Sequence, residues 1–260
     1  MAIFPSLFLS HGSPMTVIED SRARRYLSGL GEEIGRPEAI IMVSAHWEYP
    51  VLAMTTADKL ETIHDFGGFP QALFDCRYEP PGIGSLAGRV SGLAGQAGFD
   101  LYADPRRGID HGGWTPLILM YPDADIPTAQ ISLETARGPA HQLAVGKALA
   151  ALREEGVLVI GSGSMTHNLR TLVRDEPDSE GADWAVAFSE WVADALAEGR
   201  VGDLLNWKDL APNAEYAHPS DEHFLPLFTA LGAGGESPKA ERIHSSFTYG
   251  TQSMDCYAFG

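Results

Sequence analysis

Residues 40–47 read IIMVSAHW. Four apolar residues lead into Ser44 and Ala45 and stop at His46. A short run apolar at successive positions predicts a strand buried on both faces, as in the middle of a parallel sheet. Residues 7–15, LFLSHGSPM, repeat the arrangement, ending on Ser10 and His11 before a Gly-Ser-Pro turn. Residues 157–169, VLVIGSGSMTHNL, give a third version, with a glycine-rich turn before His167.

Working outward, strands are expected at Ser6–Ser10, Ala39–Ala45, Val51–Thr55, Pro127–Leu133 and Val157–Gly161. Amphipathic stretches predict helices at Ser21–Leu30, Gly84–Ala97, Trp114–Tyr121, Pro139–Glu155, Asp183–Glu198 and Asp221–Leu231. Gly156 is the expected C-cap of the fourth helix, and Ser220 or Asp221 the N-cap of the last. Alternation of this kind predicts an α/β fold, helices on both sides of one sheet. The tail from Glu241 to Phe259 alternates around Tyr249-Gly250 and reads as a closing hairpin. Glu61–Gly84 is too rich in glycine and proline for a helix or central strand, and Arg174–Gly181 reads as a solvated loop. No linker divides the chain, so residues 1–260 are read as one domain.

The chain is 44% apolar, enough for a sizeable core, and carries a formal charge of -17. Such a surface repels phosphate backbones and acidic membranes, so neither is an expected partner. Two cysteines, Cys76 and Cys256, form no CxxC pair, which points to a reducing cytoplasm. No signal peptide and no membrane span are expected.

Ligands bind beyond the carboxyl ends of strands in open α/β sheets. His11, His46 and His167 all fall there, while His111 in GIDHGGW and His223 in PSDEHFLPL stand near predicted helix starts. Five imidazoles can therefore converge, with His64 joining from IHDFGGFP. Neutral imidazole suits zinc and iron, and Glu222, Asp65 and Asp110 are the nearby carboxylates. A Ser13 or Ser162 hydrolase is also conceivable, but GxSxG, HExxH, P-loop and GxGxxG motifs are absent. Any single histidine here, taken alone, is better explained by a structural hydrogen bond; the joint placement at strand ends is what points to a site. His141 is expected on the surface, and His218 and His244 in structural or exposed positions.

LFLSHGSPM, SAHWE, TIHDFGGFPQALF, DHGGWTPLILMYPDADIP, GSGSMTHNLR and DEHFLPL follow one another along the chain. In this order they resemble the class III extradiol ring-cleavage dioxygenases, in the 4,5-DOPA dioxygenase-like branch. The resemblance spans nearly the whole chain. It implies a three-layer α/β/α domain with a mostly parallel or mixed sheet, acting on a catechol and O2 to give a semialdehyde. It implies Fe(II) for activity, with Zn(II) able to occupy the same site. His11 and His46 are the implied metal ligands, with the third from DEH: His223, or Glu222 in its place. His167 is the implied acid–base residue and a possible fourth ligand, and His111 the implied hydrogen-bond partner of substrate or oxygen. His64, Asp65, Phe66 and Phe69 are expected on the substrate side, the two phenylalanines as an aromatic wall. Ser10, Ser13, Ser44 and Asp110 are candidates for holding the imidazoles in place. Two other readings stay open: a zinc-dependent hydrolase on the same histidines, and a non-catalytic binding protein on this scaffold.

Overall fold

The structure is a computed structural model describing residues 3–173 and 177–260. Ten strands run β1 (Ser6–Ser10), β2 (Ala39–Glu48), β3 (Ala53–Thr55), β4 (Tyr102–Asp104), β5 (Thr128–Leu133), β6 (Val157–Gly163), β7 (Ala240–His244), β8 (Phe247–Thr248), β9 (Gln252–Ser253) and β10 (Cys256–Phe259). The long helices are α1 (Arg22–Ile34), α3 (Leu86–Gln96), α4 (His111–Met120), α5 (Gly138–Leu149), α6 (Asp183–Ala197) and α10 (Pro226–Ala233). Shorter ones are α2 (Gln71–Asp75), α7 (Val201–Leu205), α8 (Trp207–Leu210) and α9 (Ala214–Ala217).

Eight strands form one mixed sheet in the order β4-β3-β5-β2-β6-β1-β10-β7. The central four, β5, β2, β6 and β1, are parallel, so their carboxyl ends share one edge. Successive side chains on these strands enter opposite layers. Phe8, Ile41, Val43, Val157 and Val159 pack with α3, α5, α6 and α10. Leu7, Leu9, Ile40, Met42, Leu158 and Ile160 pack with Leu27 and Leu30 of α1 and Trp114 and Leu117 of α4. The three-layer α/β/α single domain is thus written in the two apolar faces of each central strand. No helix among the described residues is long and apolar enough to cross a membrane.

Several boundaries differ from expectation for local reasons. α4 begins three residues early, at His111, because Asp110 accepts from Gly113 N and caps it. α5 stops at Leu149 and tightens into a 3-10 turn that ends on left-handed Gly156. The helix expected from Asp221 starts only at Pro226, where proline at the first turn needs no N–H partner. Neither Ser220 nor Asp221 caps it with a side chain, and His223 lies in the preceding turn. The Glu61–Gly84 segment is irregular except for α2. In the tail, Tyr249-Gly250 turns the small β8–β9 hairpin, flanked by β7 and β10, which pair in the main sheet. Of the loop expected at Arg174–Gly181, residues 174–176 lie outside the described residues.

Candidate metal centre at the carboxyl edge of the sheet

β1 delivers His11 to this edge, β2 carries His46 near its end, and Gly163 closes β6 beside the turn that holds His223. That turn lies directly on β6: Ser164 N donates to the His223 carbonyl at 2.9 Å. A Cβ at Gly163 would stand 2.1 Å from the same carbonyl oxygen, so only glycine admits the approach.

His11 is fully buried, and its Nδ1 is 2.9 Å from Ser162 Oγ. The Ser162 hydroxyl gives its one proton to the Gly112 carbonyl at 2.5 Å. The serine therefore accepts from His11 Nδ1–H, which leaves the lone pair on Nε2. His223 donates from Nδ1 to Glu222 Oε1 at 2.8 Å, with the same consequence. His46 Nε2 stands 3.1 Å from His11 Nε2 and 3.2 Å from His223 Nε2. At least two of the three converging atoms thus carry lone pairs, an arrangement that a cation relieves. Two imidazole nitrogens each about 2.0–2.1 Å from a shared ion stand roughly 3 Å apart when they bind at a right angle. The donor set and the spacing fit a metal ion.

Burial, reinforced by the neighbouring imidazoles, pushes His11 and His223 well below the ordinary histidine range. Burial lowers His46 to about 4, with His111 adding to the shift and Asp110 and Asp65 opposing it. All three rings are held neutral, the form that binds a metal.

His111 opens α4 with its ring 3.8 Å from that of His46, centre to centre. Both its backbone N (3.0 Å) and its Nδ1 (2.9 Å) donate to Asp65 Oδ1. Burial pulls the Asp65 carboxyl up, but these hydrogen bonds outweigh it and hold it at about 2. Asp65 is thus engaged with His111, and its other oxygen is 3.7 Å from His46 Nδ1. Asp110, fully buried, accepts from Ser44 Oγ at 2.6 Å and from Arg107 at 2.9 Å while capping α4. A Cβ on Gly112 would lie 2.3 Å from Ser44 Oγ and 2.9 Å from His46 Cδ2, so this glycine lets α4 sit against the clustered imidazoles.

His167 stacks on His223, ring centres 3.4 Å apart, and its Nδ1 is 3.9 Å from Glu222 Oε1. Burial lowers it to about 4, an effect Glu222 partly offsets. Beside His111, the ring of Phe66 stands perpendicular at 5.7 Å, followed by Phe69 5.3 Å beyond it. His64 lies in this second row, 5.7 Å from Phe66, with Nε2 on the Cys76 carbonyl at 3.1 Å. Phe74 and the fully buried Trp114 stand behind Phe66, ring centres 5.1 and 6.0 Å away.

Of the anticipated serines, Ser44 bonds Asp110, Ser10 bonds the Asp255 carbonyl, and Ser13 caps the short turn Pro14–Val17. None touches a ligand imidazole by hydrogen bond to its ring; Ser162, weighed only as a nucleophile, is the residue that does. Its signal was its place on β6, level with Leu9 on β1. His141 is not a surface residue: its side chain is buried and Nε2 meets Glu134 at 2.6 Å. His218 is buried on the Met165 carbonyl, and His244 stacks on Tyr26.

The family model described as the catalytic LigB subunit of aromatic ring-opening dioxygenase matches residues 5–260. A Beta vulgaris protein named 4,5-DOPA dioxygenase extradiol is 43% identical over 98% of this chain and 96% of its own. An Escherichia coli K12 protein of the same name is 44% identical over 90% of this chain and 87% of its own. A crystal structure of an Escherichia coli K12 protein superposes with a TM-score of 0.82 at 35% identity, covering 99% of this chain and all of that one. With neutral imidazoles gathered at one sheet edge and the match running almost end to end, the chain belongs to the LigB family of extradiol aromatic ring-opening dioxygenases.

Proposed function

We propose that this extradiol dioxygenase opens a DOPA-like catechol with O2 to a semialdehyde, using Fe(II) held by His11, His46 and His223. The observation that carries the reading is the meeting of three Nε2 atoms, those of His11 and His223 standing 3.1 and 3.2 Å from that of His46. Relatives named 4,5-DOPA dioxygenase extradiol support the substrate class. Zn(II) fits the same donors. A bound ferrous ion supplies charge to favour catecholate formation and electronic coupling between ring and oxygen.

The protein's own share is orientation and proton handling. With Nδ1 turned to Glu222, His167 has Nε2 free to take a proton from the catechol and return it later. His111, with its proton committed to Asp65, presents Nε2 as an acceptor for a substrate hydroxyl. Phe66 walls the side next to His111, where a flat ring can pack. Residues 1–260 act as one catalytic domain. Two free cysteines accord with a cytoplasmic setting.

The test is oxygen uptake by Fe(II)-loaded protein given a panel of catechols, with visible absorbance followed in parallel. Uptake matched by a yellow ring-opened product and lost in His167→Ala is expected. No uptake from protein shown to hold iron would overturn the reading.

A further inference from the structure

We infer that Glu222 is a positioning residue that sets the orientation of the His223 imidazole, an inference resting on the metal-centre reading above. Its Oε1 accepts from His223 Nδ1 at 2.8 Å and from Ser220 Oγ at 3.1 Å, and lies 3.9 Å from His167 Nδ1. The two rings are stacked, 10° from parallel. One carboxylate oxygen therefore faces the Nδ1 edge of both, and their Nε2 edges turn away from it.

The alternative to this orientation is a flipped ring. Rotation of His223 by half a turn about Cβ–Cγ exchanges Nδ1 with Cδ2 and Nε2 with Cε1. The flipped ring would set a C–H against the carboxylate and aim carbon at His46. A charge-assisted N–H···O bond disfavours that state, and a neutral acceptor does so less strongly. Toward His167 the same carboxylate acts through charge alone, at 3.9 Å from Nδ1. Glu222 is placed for this task and not for ligation, since its Oε1 sits on the ring edge opposite His223 Nε2. His223, in turn, can face inward because it lies in a tight turn laid on Gly163 and not on a helix.

The experiment is a Co(II) titration of metal-free protein followed by visible absorption, on wild type, Glu222→Gln, Glu222→Ala and His223→Ala. Urea unfolding of each metal-free variant reports its fold. Glu222→Ala is expected to bind Co(II) about 10–100-fold more weakly than wild type. Glu222→Gln, whose amide oxygen can accept the same hydrogen bond, is expected to recover most of that loss with a wild-type spectrum. Wild-type affinity and spectrum in Glu222→Ala would overturn the positioning role. So would a Glu222→Gln spectrum that has lost a ligand as His223→Ala does, because Glu222 would then be a ligand itself. Wild-type protein that takes up no Co(II) would instead refute the metal centre, and the positioning role with it.

Discussion

The imidazole of His167 lies flat on that of His223, ring centres 3.4 Å apart. One ring turns its Nε2 into the three-nitrogen cluster, and the other lies beside it with its own Nε2 uncommitted. Under the proposed function, ligation and proton transfer fall to two stacked histidines that face one carboxylate.

That division makes His167→Ala informative. Removing a general base costs about 10²–10⁴-fold in rate. The variant is expected to lose turnover on that scale and to keep its iron, measured by metal analysis beside oxygen uptake. Iron lost in step with activity would make His167 a fourth ligand.

Ser162→Ala removes both the acceptor for His11 Nδ1–H and the donor to the Gly112 carbonyl. Metal affinity is expected to fall about 10–100-fold. Each unpaired buried group costs about 1–3 kcal/mol, so the metal-free variant should also unfold at lower urea. Chelator competition and urea melts check the two effects separately. An unchanged metal affinity would show that His11 keeps its orientation without the serine.

Phe66→Ala opens the wall beside His111. A several-fold rise in KM is expected, with kcat changed less, since the proposed role of the ring is to pack against substrate and it moves no proton. A pure kcat defect, read from initial rates, would place Phe66 in the chemical step.

Stability of the metal-free protein should depend on pH between about 4 and 6.5. Unfolded histidines take up protons near pH 6.5. In the fold, burial holds His46 and His167 at about 4 and His218 at about 3. Across the interval the unfolded chain binds more protons, so stability is present above pH 6.5 and is lost as pH falls toward 4. At pH 5 the loss is roughly 2 kcal/mol for each such histidine. Urea unfolding at pH 5 and 7 measures it, and equal midpoints would show that the rings charge without unfolding.

Much of this was legible because buried parallel strands announce themselves. Ser6–Ser10 is a strand end to end as expected, and His11 and His46 stand on the shared edge that parallel alternation foretold. Phe66 and Phe69, quoted with the glycine pair between them, do stand edge to face, 5.3 Å apart. What depended on contacts between distant segments was not. The tie from Ser162 to His11 exists only because β6 lies parallel to β1, 151 residues away in sequence. Whether Glu222 and His223 lie on a helix or in a turn was decided by Pro226, which opens the helix four and three residues after them. His141 read as surface because Glu134, which buries it, reaches back across the turn Thr135–Arg137.

The register of β1 has a consequence for how the molecule is made. β1 pairs on one side with β6 and on the other with residues 256–259 of β10. β1 therefore waits for partners that follow it in the chain by some 150 and 250 residues. Long-range pairings of this sort slow folding and leave strand edges open to other chains meanwhile. A nascent chain cannot assemble its three-imidazole cluster until His223 has emerged, 212 residues after His11, by which point β1, β2, β5 and β6 have all been made.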